Sequence, residues 1–281
     1  MTSAAPKFES DFDFLRRLVH ERSAIVLEPT QSYLLEARLG PVAHKAGIPT
    51  VGELLRRLRL ERYGPLHRSV VEAMTTNETF FFRDLAPFQA LQKVVIPAIL
   101  GNNAASRQLS VWCAAASSGQ EPYSVAMTLR EHFPQLTQWK VELHATDLSD
   151  EMLERVRSGS YSQLEVNRGL PAQMLIKYFQ RSGVRWTVKP ELTSLLTVRK
   201  VNLIDPWPNF PLLDVVFLRN VLIYFDVETK KKILGRMKRV LRPGGYLFLG
   251  GAETTSGLED DFERVNFANA SCYQLRGPEA K

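Results

Sequence analysis

The stretch Val111-Trp-Cys-Ala-Ala-Ala-Ser-Ser-Gly-Gln-Glu-Pro-Tyr-Ser124 decides the fold prediction. It begins as a short apolar segment, changes to small residues, and continues as a helix near Pro122. A strand that leads into a small-residue turn and then a helix is how doubly wound α/β folds build a nucleotide pocket. The stretch therefore predicts the first strand, turn and helix of such a fold.

The turn contains one glycine, Gly119, and a carboxylate, Glu121. A pyrophosphate site favours a glycine-rich loop of backbone N–H groups, as in the G-x-G-x-x-G pattern. An acidic group suits a ligand that carries a positive charge. The turn therefore indicates a cationic nucleoside, and S-adenosylmethionine, which has a sulfonium and an ammonium group, is the candidate.

The composition is that of a globular protein, with 281 residues, 44% hydrophobic and 23% charged. No apolar run reaches the roughly 18–20 residues of a membrane span, and Met1 to Ser10 lacks the apolar core of a secretory signal. Cys113 and Cys272 have no metal-ligand spacing and are expected to be buried free thiols. We therefore expect a cytoplasmic protein without membrane insertion and without a metal site.

Two kinds of sequence pattern divide the chain. The first eighty residues carry apolar side chains at helical spacing and no strand pattern, which predicts an N-terminal helical bundle over residues 1–85. From Gln108 onward strands alternate with helices, which predicts a parallel, doubly wound, Rossmann-like sheet over residues 86–281. Two short apolar stretches near the C-terminus predict an antiparallel hairpin at the sheet edge. Residues at about 160–195 break the alternation and predict a small inserted antiparallel β-subdomain.

Asp147 closes the predicted second strand. An acidic residue there can accept hydrogen bonds from both ribose hydroxyls of a nucleoside. The alternative role is an N-cap, but Ser149 is better placed to cap the following helix. Glu121 has an alternative role as well, because a carboxylate in the first turn of a helix is favoured by the helix dipole.

Further polar residues follow other predicted strands. Asn202-Leu203 come after one strand, so an amide could address the adenine edge while the leucine packs on the ring. Asn220 lies at the carboxyl end of the strand Leu213 to Leu218, at the expected binding edge of the sheet. The segment from Asn77 to Arg83 contains three consecutive phenylalanines and is either a hydrophobic plug between domains or a lid over the ligand.

Taken together, these residues resemble the chemotaxis receptor methyltransferases, the CheR family. The matching motifs, in the family's order, are Ala73-Met-Thr-Thr-Asn-Glu-Thr-Phe80 with Arg83, Ser118-Gly-Gln-Glu-Pro-Tyr-Ser124, Ala145-Thr-Asp147, Asn202-Leu203, Arg219-Asn-Val-Leu-Ile-Tyr-Phe225 and Leu241-Arg-Pro-Gly-Gly-Tyr246. The family's architecture is similar too: a helical N-terminal domain, a methyltransferase domain that binds S-adenosylmethionine, and a small inserted β-subdomain.

The resemblance implies an activity and a set of site residues. The activity is methyl transfer from S-adenosylmethionine to glutamate side chains of methyl-accepting chemotaxis receptors, with S-adenosylhomocysteine as the other product. The catalytic residues implied are Arg83 and Tyr224. The cofactor would be bound by Asn77, Thr79, Arg83, Glu121, Asp147, Asn202, Leu203, Asn220 and Val221. The partners are the cytoplasmic domains of the receptors, and the oligomeric state is left open.

A basic region offers a docking surface for such a partner. Between residues 37 and 71, seven lysines and arginines accompany two glutamates. Arg38, Arg56, Arg57 and Arg59 are the predicted docking residues for an acidic receptor surface. No aromatic residues alternate with them as a base-stacking platform requires, so nucleic acid is not the expected partner.

Two other functions stay open at this point. One is a nucleic-acid methyltransferase that uses the basic region, although the expected Asn-Pro-Pro-aromatic motif is replaced by Asn220-Val221. The other is a receptor-binding adaptor without catalytic activity. Whether the inserted β-subdomain binds a receptor's terminal peptide by strand addition is also open.

Overall fold

The chain folds into two compact units. The computed structural model describes residues 9–267 and 269–277, so residues 1–8 of the N-terminal stretch lie outside the described part. One unit comprises Met1–Thr76 with Tyr224–Asp226, and the other comprises Asn77–Ile223 with Val227–Lys281. By this spatial grouping the division falls after Thr76 rather than after residue 85. Among the described residues, no helix is long and apolar enough to cross a membrane.

The first unit is built from helices, as the apolar spacing predicts. They are α1 (Asp11–Ser23), α2 (Leu34–Lys45), α3 (Val51–Leu60) and α4 (Pro65–Ala73). Side-chain caps begin two of them, since the Ser10 hydroxyl accepts a hydrogen bond from the Asp13 N–H and the Thr50 hydroxyl accepts one from the Glu53 N–H, both at 3.1 Å. The apolar faces of these helices form the buried interior of the unit.

The second unit contains a seven-stranded sheet in the order β6-β2-β1-β7-β8-β10-β9. Its strands are β1 (Gln108–Ala114), β2 (Lys140–Asp147), β6 (Leu196–Lys200), β7 (Leu213–Leu218), β8 (Leu241–Leu249), β9 (Phe262–Val265) and β10 (Cys272–Leu275). The five strands from β6 to β8 are parallel, and β10 pairs antiparallel with β8 and β9. The Rossmann-like sheet and its antiparallel edge are therefore confirmed.

The order of the strands reverses between β1 and β7, which are neighbours in the sheet although distant in sequence. Ligands of open α/β sheets bind at such a switch point, outside the carboxyl ends of the strands. The helices of this unit are α5 (Ala86–Ala90) and α6 (Ile96–Asn102), joined by a π-helical turn at Leu91–Val95, then α7 (Gln120–His132), α8 (Asp150–Ser158) and α12 (Val227–Val240). The core of the unit lies around the central strands, where Phe217 and Phe248 stack at 4.5 Å.

The inserted segment forms the small antiparallel sheet that the sequence predicts. Its strands are β3 (Ser160–Ser162), β4 (Phe179–Ser182) and β5 (Arg185–Val188), in the order β3-β5-β4. The short helices α9 (Gln163–Asn167), α10 (Ala172–Tyr178) and α11 (Pro190–Thr193) accompany it. The sequence analysis did not predict them, although a capping box between Ser162 and Glu165 marks the start of α9.

The segment Arg242-Pro-Gly-Gly245 has a different role from the one expected. A proline followed by two glycines is typical of a turn that ends a helix and precedes a strand. Instead β8 begins at Leu241, directly after the helix, and its pairing with β7 is irregular between Leu213 and Val215. Gly245 is required there because a Cβ atom would lie 2.8 Å from the Arg242 carbonyl oxygen.

His144 lies inside the sheet, where the described part of the chain offers its ring no hydrogen-bond partner. Its ring is buried on β2, next to Phe210 at 5.4 Å, and neither ring nitrogen bonds any described residue. Burial lowers the pKa of His144, and Arg199 acts in the same direction while Glu142 opposes them. The folded protein therefore favours the neutral imidazole.

We predict that His144 makes folding sensitive to mild acid. Because its pKa is lower in the folded state, its neutral form contributes fully above about pH 6.5, the unfolded value, and stability is lost as the pH falls below it. The variant His144→Leu should therefore lose less unfolding free energy between pH 7.5 and pH 5.5 than the wild type. At pH 7.5 it should be at least as stable, because unpartnered buried polar groups cost about 1–3 kcal/mol.

Urea unfolding followed by tryptophan fluorescence at the two pH values measures this difference. The exposed His132 provides the matched control, and His132→Gln should keep the wild-type pH dependence. An identical pH dependence in His144→Leu and the wild type would contradict the prediction.

Candidate functional site

The predicted cofactor residues of the second unit follow four adjacent parallel strands. Asn202-Leu203 follow β6, Asp147 ends β2, the turn with Gly119 follows β1, and Asn220-Val221 follow β7. Since the carboxyl ends of parallel strands meet at one edge, these residues share the binding edge of the sheet.

The turn after β1 has an unusual backbone. Ala115, Ser117 and Gly119 have φ angles of 55°, 50° and 96°. A Cβ atom on Gly119 would lie 3.0 Å from the Tyr161 hydroxyl oxygen, and that hydroxyl donates a hydrogen bond of 2.8 Å to the Ser118 carbonyl. Glycine is therefore required at this position both by its φ angle and by the close approach of the tyrosine.

Asp147 holds this turn through its carboxylate. One oxygen accepts a hydrogen bond of 2.8 Å from the Ser117 N–H, and the other accepts one of 2.9 Å from the Ser149 N–H. The Ser149 hydroxyl in turn caps α8 by accepting from the Met152 N–H. Ser149 is thus the N-cap, as the sequence indicates, and Asp147 lies at the end of the strand, where its ribose-binding role stays a prediction.

Glu121 is bound by an arginine that the sequence analysis did not assign to the site. The Arg219 side chain is only 1% exposed, and it donates hydrogen bonds to the Glu121 carboxylate at 2.9 Å, the Asp84 carboxylate at 2.7 Å and the Arg83 carbonyl at 3.0 Å. Burial raises the pKa of Glu121, and the charge of Arg219 opposes that shift. Part of the negative charge predicted for a cationic ligand is therefore balanced within the protein.

The second residue that sequence reasoning missed is Glu253, which follows β8. It is 7% exposed, and its carboxylate accepts hydrogen bonds from the backbone N–H groups of Asn220 and Val221 at 2.8 and 2.9 Å. Asn220 has a φ angle of 57°. No motif in the sequence marks Glu253, because three of its four backbone partners lie 30 to 33 residues away in the chain.

Hydrogen bonds fix the segment Asn77 to Arg83 at two points, one before its run of phenylalanines and one at the last phenylalanine. The Ser117 hydroxyl donates to the Asn77 carbonyl at 2.7 Å, and the Phe82 N–H donates to the Ser124 hydroxyl at 3.0 Å. Phe81 and Phe82 belong to the hydrophobic core of the second unit, whereas Phe80 is half-buried. This arrangement favours a hydrophobic packing role over a lid for two of the three rings.

The remaining residues of this segment are partly accessible. Thr79 and the Arg83 side chain are half-buried. The Arg83 guanidinium donates to the Glu78 carbonyl at 3.0 Å and lies 5.7 Å from the centre of the Phe80 ring. Arg83 therefore presents a charged group at the site edge, and its catalytic role stays a prediction.

Asn202 and Leu203 are engaged in local structure. The Asn202 amide donates to the Asp205 carboxylate at 3.1 Å and accepts from the Ile204 N–H at 3.3 Å. Leu203 is buried, and its carbonyl accepts from the Arg236 guanidinium at 2.9 Å. These contacts fix the turn after β6, and the predicted contacts to adenine stay predictions.

Tyr224 is grouped with the helical unit rather than with the sheet. Its segment, Tyr224–Asp226, belongs to the first unit, where the Tyr224 carbonyl accepts a hydrogen bond of 2.9 Å from the Val26 N–H. In the sequence, Tyr224 belongs to the motif Arg219 to Phe225, which follows β7. Its predicted catalytic role stays a prediction.

The predicted docking arginines differ in how they are bound. The Arg38 guanidinium is half-buried and donates to the Met74 and Thr75 carbonyls at 2.8 and 2.6 Å, which satisfies the end of α4. Arg59 bonds Asp11 at 2.6 Å and lies over the Phe14 ring at 4.7 Å. Arg56 and Arg57 pair with Glu53 and Glu61 within their own segment, both at 2.6 Å. Arg56 and Arg57, which are both exposed, are therefore the arginines best suited to contact a partner.

The charged side chains of the second unit fit a cationic nucleoside. Asp147, the segment around Arg83 and the segments that follow β1, β2, β7 and β8 are together called the site segments. They contain the carboxylates of Asp84, Glu121, Asp147 and Glu253 and the guanidinium groups of Arg83 and Arg219. Negative charges exceed positive ones, which suits a ligand with a sulfonium and an ammonium group and not a pyrophosphate. The buried Arg219 Nε has no hydrogen-bond partner among the described residues.

Comparisons with known proteins agree with this geometry. Residues 77–270 match the family model described as CheR methyltransferase, SAM binding domain, and residues 10–75 match the CheR methyltransferase all-alpha domain. S-adenosylmethionine is therefore the cofactor of the matched domain.

Relatives of the same kind cover almost the whole chain. The chemotaxis protein methyltransferase Cher2 of Pseudomonas putida is 42% identical over 95% of this chain and 98% of its own length. Chemotaxis protein methyltransferase 1 of Pseudomonas aeruginosa is 41% identical with the same coverage, and the chemotaxis protein methyltransferase of Vibrio parahaemolyticus is 39% identical, again with 95% and 98% covered.

We predict that Asp147→Ala weakens binding of S-adenosylhomocysteine by about 1–3 kcal/mol, because charged hydrogen bonds are lost and the turn after β1 is released. Isothermal titration calorimetry measures the change. The control is Asp150→Ala, which removes an exposed carboxylate paired with Lys200 and should leave the affinity unchanged. Equal affinities for Asp147→Ala and the wild type would remove Asp147 from the cofactor site.

Proposed function

The chain belongs to the CheR family of chemotaxis protein methyltransferases, and on this basis we propose that it methylates glutamate side chains of chemotaxis receptors. The product is a glutamyl methyl ester, and the reaction belongs in the cytoplasm, where the receptors expose their signalling domains. The observation that carries the proposal is the chemistry of the site, which combines carboxylates and guanidinium groups with no histidine. All five histidines lie outside the site segments.

Such a site suits a methyl acceptor that needs no general base. A glutamate carboxylate is already ionised at neutral pH, whereas hydroxyl acceptors must lose a proton during transfer. When bound, S-adenosylmethionine supplies a methyl group activated by a positively charged sulfur. The protein's contribution is then to align the acceptor oxygen with that methyl group and to exclude water, since charge is neutralised in the transfer.

Arg83 and Tyr224 are the residues that we assign to this alignment. The half-buried guanidinium of Arg83 can bind a carboxylate, either that of the acceptor glutamate or that of the cofactor's methionine part. Tyr224 can donate a hydrogen bond to the acceptor carboxylate. Both assignments rest on the family motifs and on the residue types, and both roles are proposals.

Receptor fragments provide the decisive test. The wild-type protein is incubated with methyl-labelled S-adenosylmethionine and cytoplasmic receptor fragments, and the modified fragments are then treated with mild base. We expect the label in the receptor fraction and its release as volatile methanol, because methyl esters hydrolyse under these conditions and methylated amides and amines do not. A receptor fragment with glutamine in place of the modified glutamates is the control and should take up no label.

Two outcomes would contradict the proposal, each in favour of a different function. Base-stable label transferred to RNA or DNA would indicate a nucleic-acid methyltransferase. Calorimetry that showed no binding of S-adenosylmethionine or S-adenosylhomocysteine would indicate an adaptor without catalytic activity.

The exposed arginines of α3 are the proposed docking residues. We predict that the double variant Arg56→Glu, Arg57→Glu slows receptor methylation about tenfold or more at low salt while leaving cofactor affinity unchanged, because charge complementarity mainly affects association. The folded state should tolerate the change, since exposed ion pairs contribute only about 0.2–1 kcal/mol each. Initial rates at several salt concentrations measure the effect, which should shrink as salt screens the charges.

A matched control separates docking from net charge. Lys231→Glu with Lys232→Glu, both exposed on α12, changes the net charge by the same amount and should leave the rate near that of the wild type. If both double variants slow methylation equally, α3 has no specific docking role.

A further inference from the structure

The Glu253 carboxylate is surrounded by backbone N–H donors. One oxygen accepts from Val221 at 2.9 Å and Ile223 at 3.3 Å, and the other accepts from Asn220 at 2.8 Å and Gly250 at 2.6 Å. Four backbone donors thus meet one buried carboxylate. A carboxylate has only acceptor positions, so it matches four converging donors without conflict.

Three of these donors belong to the segment that follows β7, and the fourth follows β8. These two strands are parallel neighbours, so Glu253 ties together two loops at the carboxyl edge of the sheet. Asn220 and Val221 are also the residues that the family motif assigns to the cofactor. Glu253 therefore binds the backbone of the cofactor residues themselves rather than a distant part of the fold.

The backbone of Asn220 needs such support. Its φ angle of 57° lies in the left-handed region, which is unfavourable for a residue with a Cβ atom. Asparagine is one of the residues that tolerate this conformation best. The hydrogen bond from the Asn220 N–H to Glu253 stabilises the left-handed conformation and thereby sets the direction in which the asparagine side chain leaves the strand.

Gly250 shows how closely the two loops approach. A Cβ atom at this position would lie 2.5 Å from the Asn220 side-chain nitrogen and 2.8 Å from a Glu253 carboxylate oxygen. Contacts this short do not occur with real side chains, so the two loops pack directly against each other only because residue 250 is glycine. The arrangement of Glu253, Gly250 and Asn220 is therefore a single packed unit.

We propose that Glu253 is a positioning residue, which holds Asn220 and Val221 in the conformation that binds S-adenosylmethionine. It acts through the backbone of these two residues and does not itself contact the cofactor. The proposal rests on the assignment of Asn220 and Val221 to the cofactor site, and it is independent of which acceptor receives the methyl group.

The variant Glu253→Gln tests the proposal because it keeps the size of the side chain. Its amide NH₂ group would face two backbone donors in either orientation, so half of the hydrogen bonds are replaced by unfavourable contacts. We expect the affinity for S-adenosylhomocysteine, measured by calorimetry, to fall roughly 10- to 100-fold. The exposed Glu263 on β9 supplies the matched control, and Glu263→Gln should bind like the wild type.

A double-mutant cycle with Asn220→Ala distinguishes positioning from a general loss of structure. If Glu253 acts through Asn220, the double variant should bind little more weakly than Asn220→Ala alone, because residues of one network do not contribute independently. Near-ultraviolet circular dichroism verifies that each variant is folded. Wild-type affinity in folded Glu253→Gln, additive losses in the double variant, or an unchanged affinity in Asn220→Ala would each overturn the proposal.

Receptor methylation is not part of this measurement. The binding experiment can therefore succeed even if the acceptor is not a receptor glutamate, and it can fail while labelled methyl esters still form. The two proposals are tested separately.

Discussion

The buried guanidinium of Arg219 is the interaction on which the site depends. A charged group out of water loses several kcal/mol of solvation and is stable only with well-placed partners. Arg219 finds them in Glu121 at the start of α7, in Asp84, and in the Arg83 carbonyl. Glu121 lies on α7, whereas Arg83 and Asp84 are neighbours in the segment before α5. The arginine therefore fixes the positions of these two segments relative to each other. Removing Glu121 would leave the buried guanidinium to be balanced by the more exposed Asp84 carboxylate, so the two segments that carry these partners constrain one another.

The same part of the fold concentrates backbone strain. Among the described residues, eight other than glycine have a positive φ angle, and six of them lie at 82–85, 115–117 and 220. In each of these three segments one strained residue donates its N–H to a buried side chain: Phe82 to Ser124, Ser117 to Asp147, and Asn220 to Glu253. Strained conformations persist where the surroundings over-determine them, and they cluster at functional sites. The acceptors are therefore as much a part of the site as the residues they hold.

Whether a feature could be predicted from the sequence depended on how far apart its interacting residues lie in the chain. A local pattern sufficed for the cap at Ser149, and strand–helix alternation sufficed for the parallel sheet. Asp147 and Asn220 were predicted as site residues because they follow strands, and this assignment stays a prediction. Arg219 and Glu253 were not predicted, because the partners of Arg219 lie 98 to 136 residues away and three of the four backbone partners of Glu253 lie 30 to 33 residues away. The helices α9 and α10 were missed because the segment was interpreted by its strand pattern alone.

The carboxylates of the site perform two physical tasks at once. Asp147 and Glu253 accept backbone N–H groups and so shape the loops, and together with Glu121 they also make the binding edge negative for a sulfonium ligand. Carboxylates close together would repel each other, and the Glu253 charge does contribute to the raised pKa of Glu121. Arg219 and the converging N–H dipoles reduce this repulsion. Rigid loops and an excess of carboxylates at one edge of the sheet are therefore compatible, and this is the combination that binding and aligning a cationic methyl donor requires.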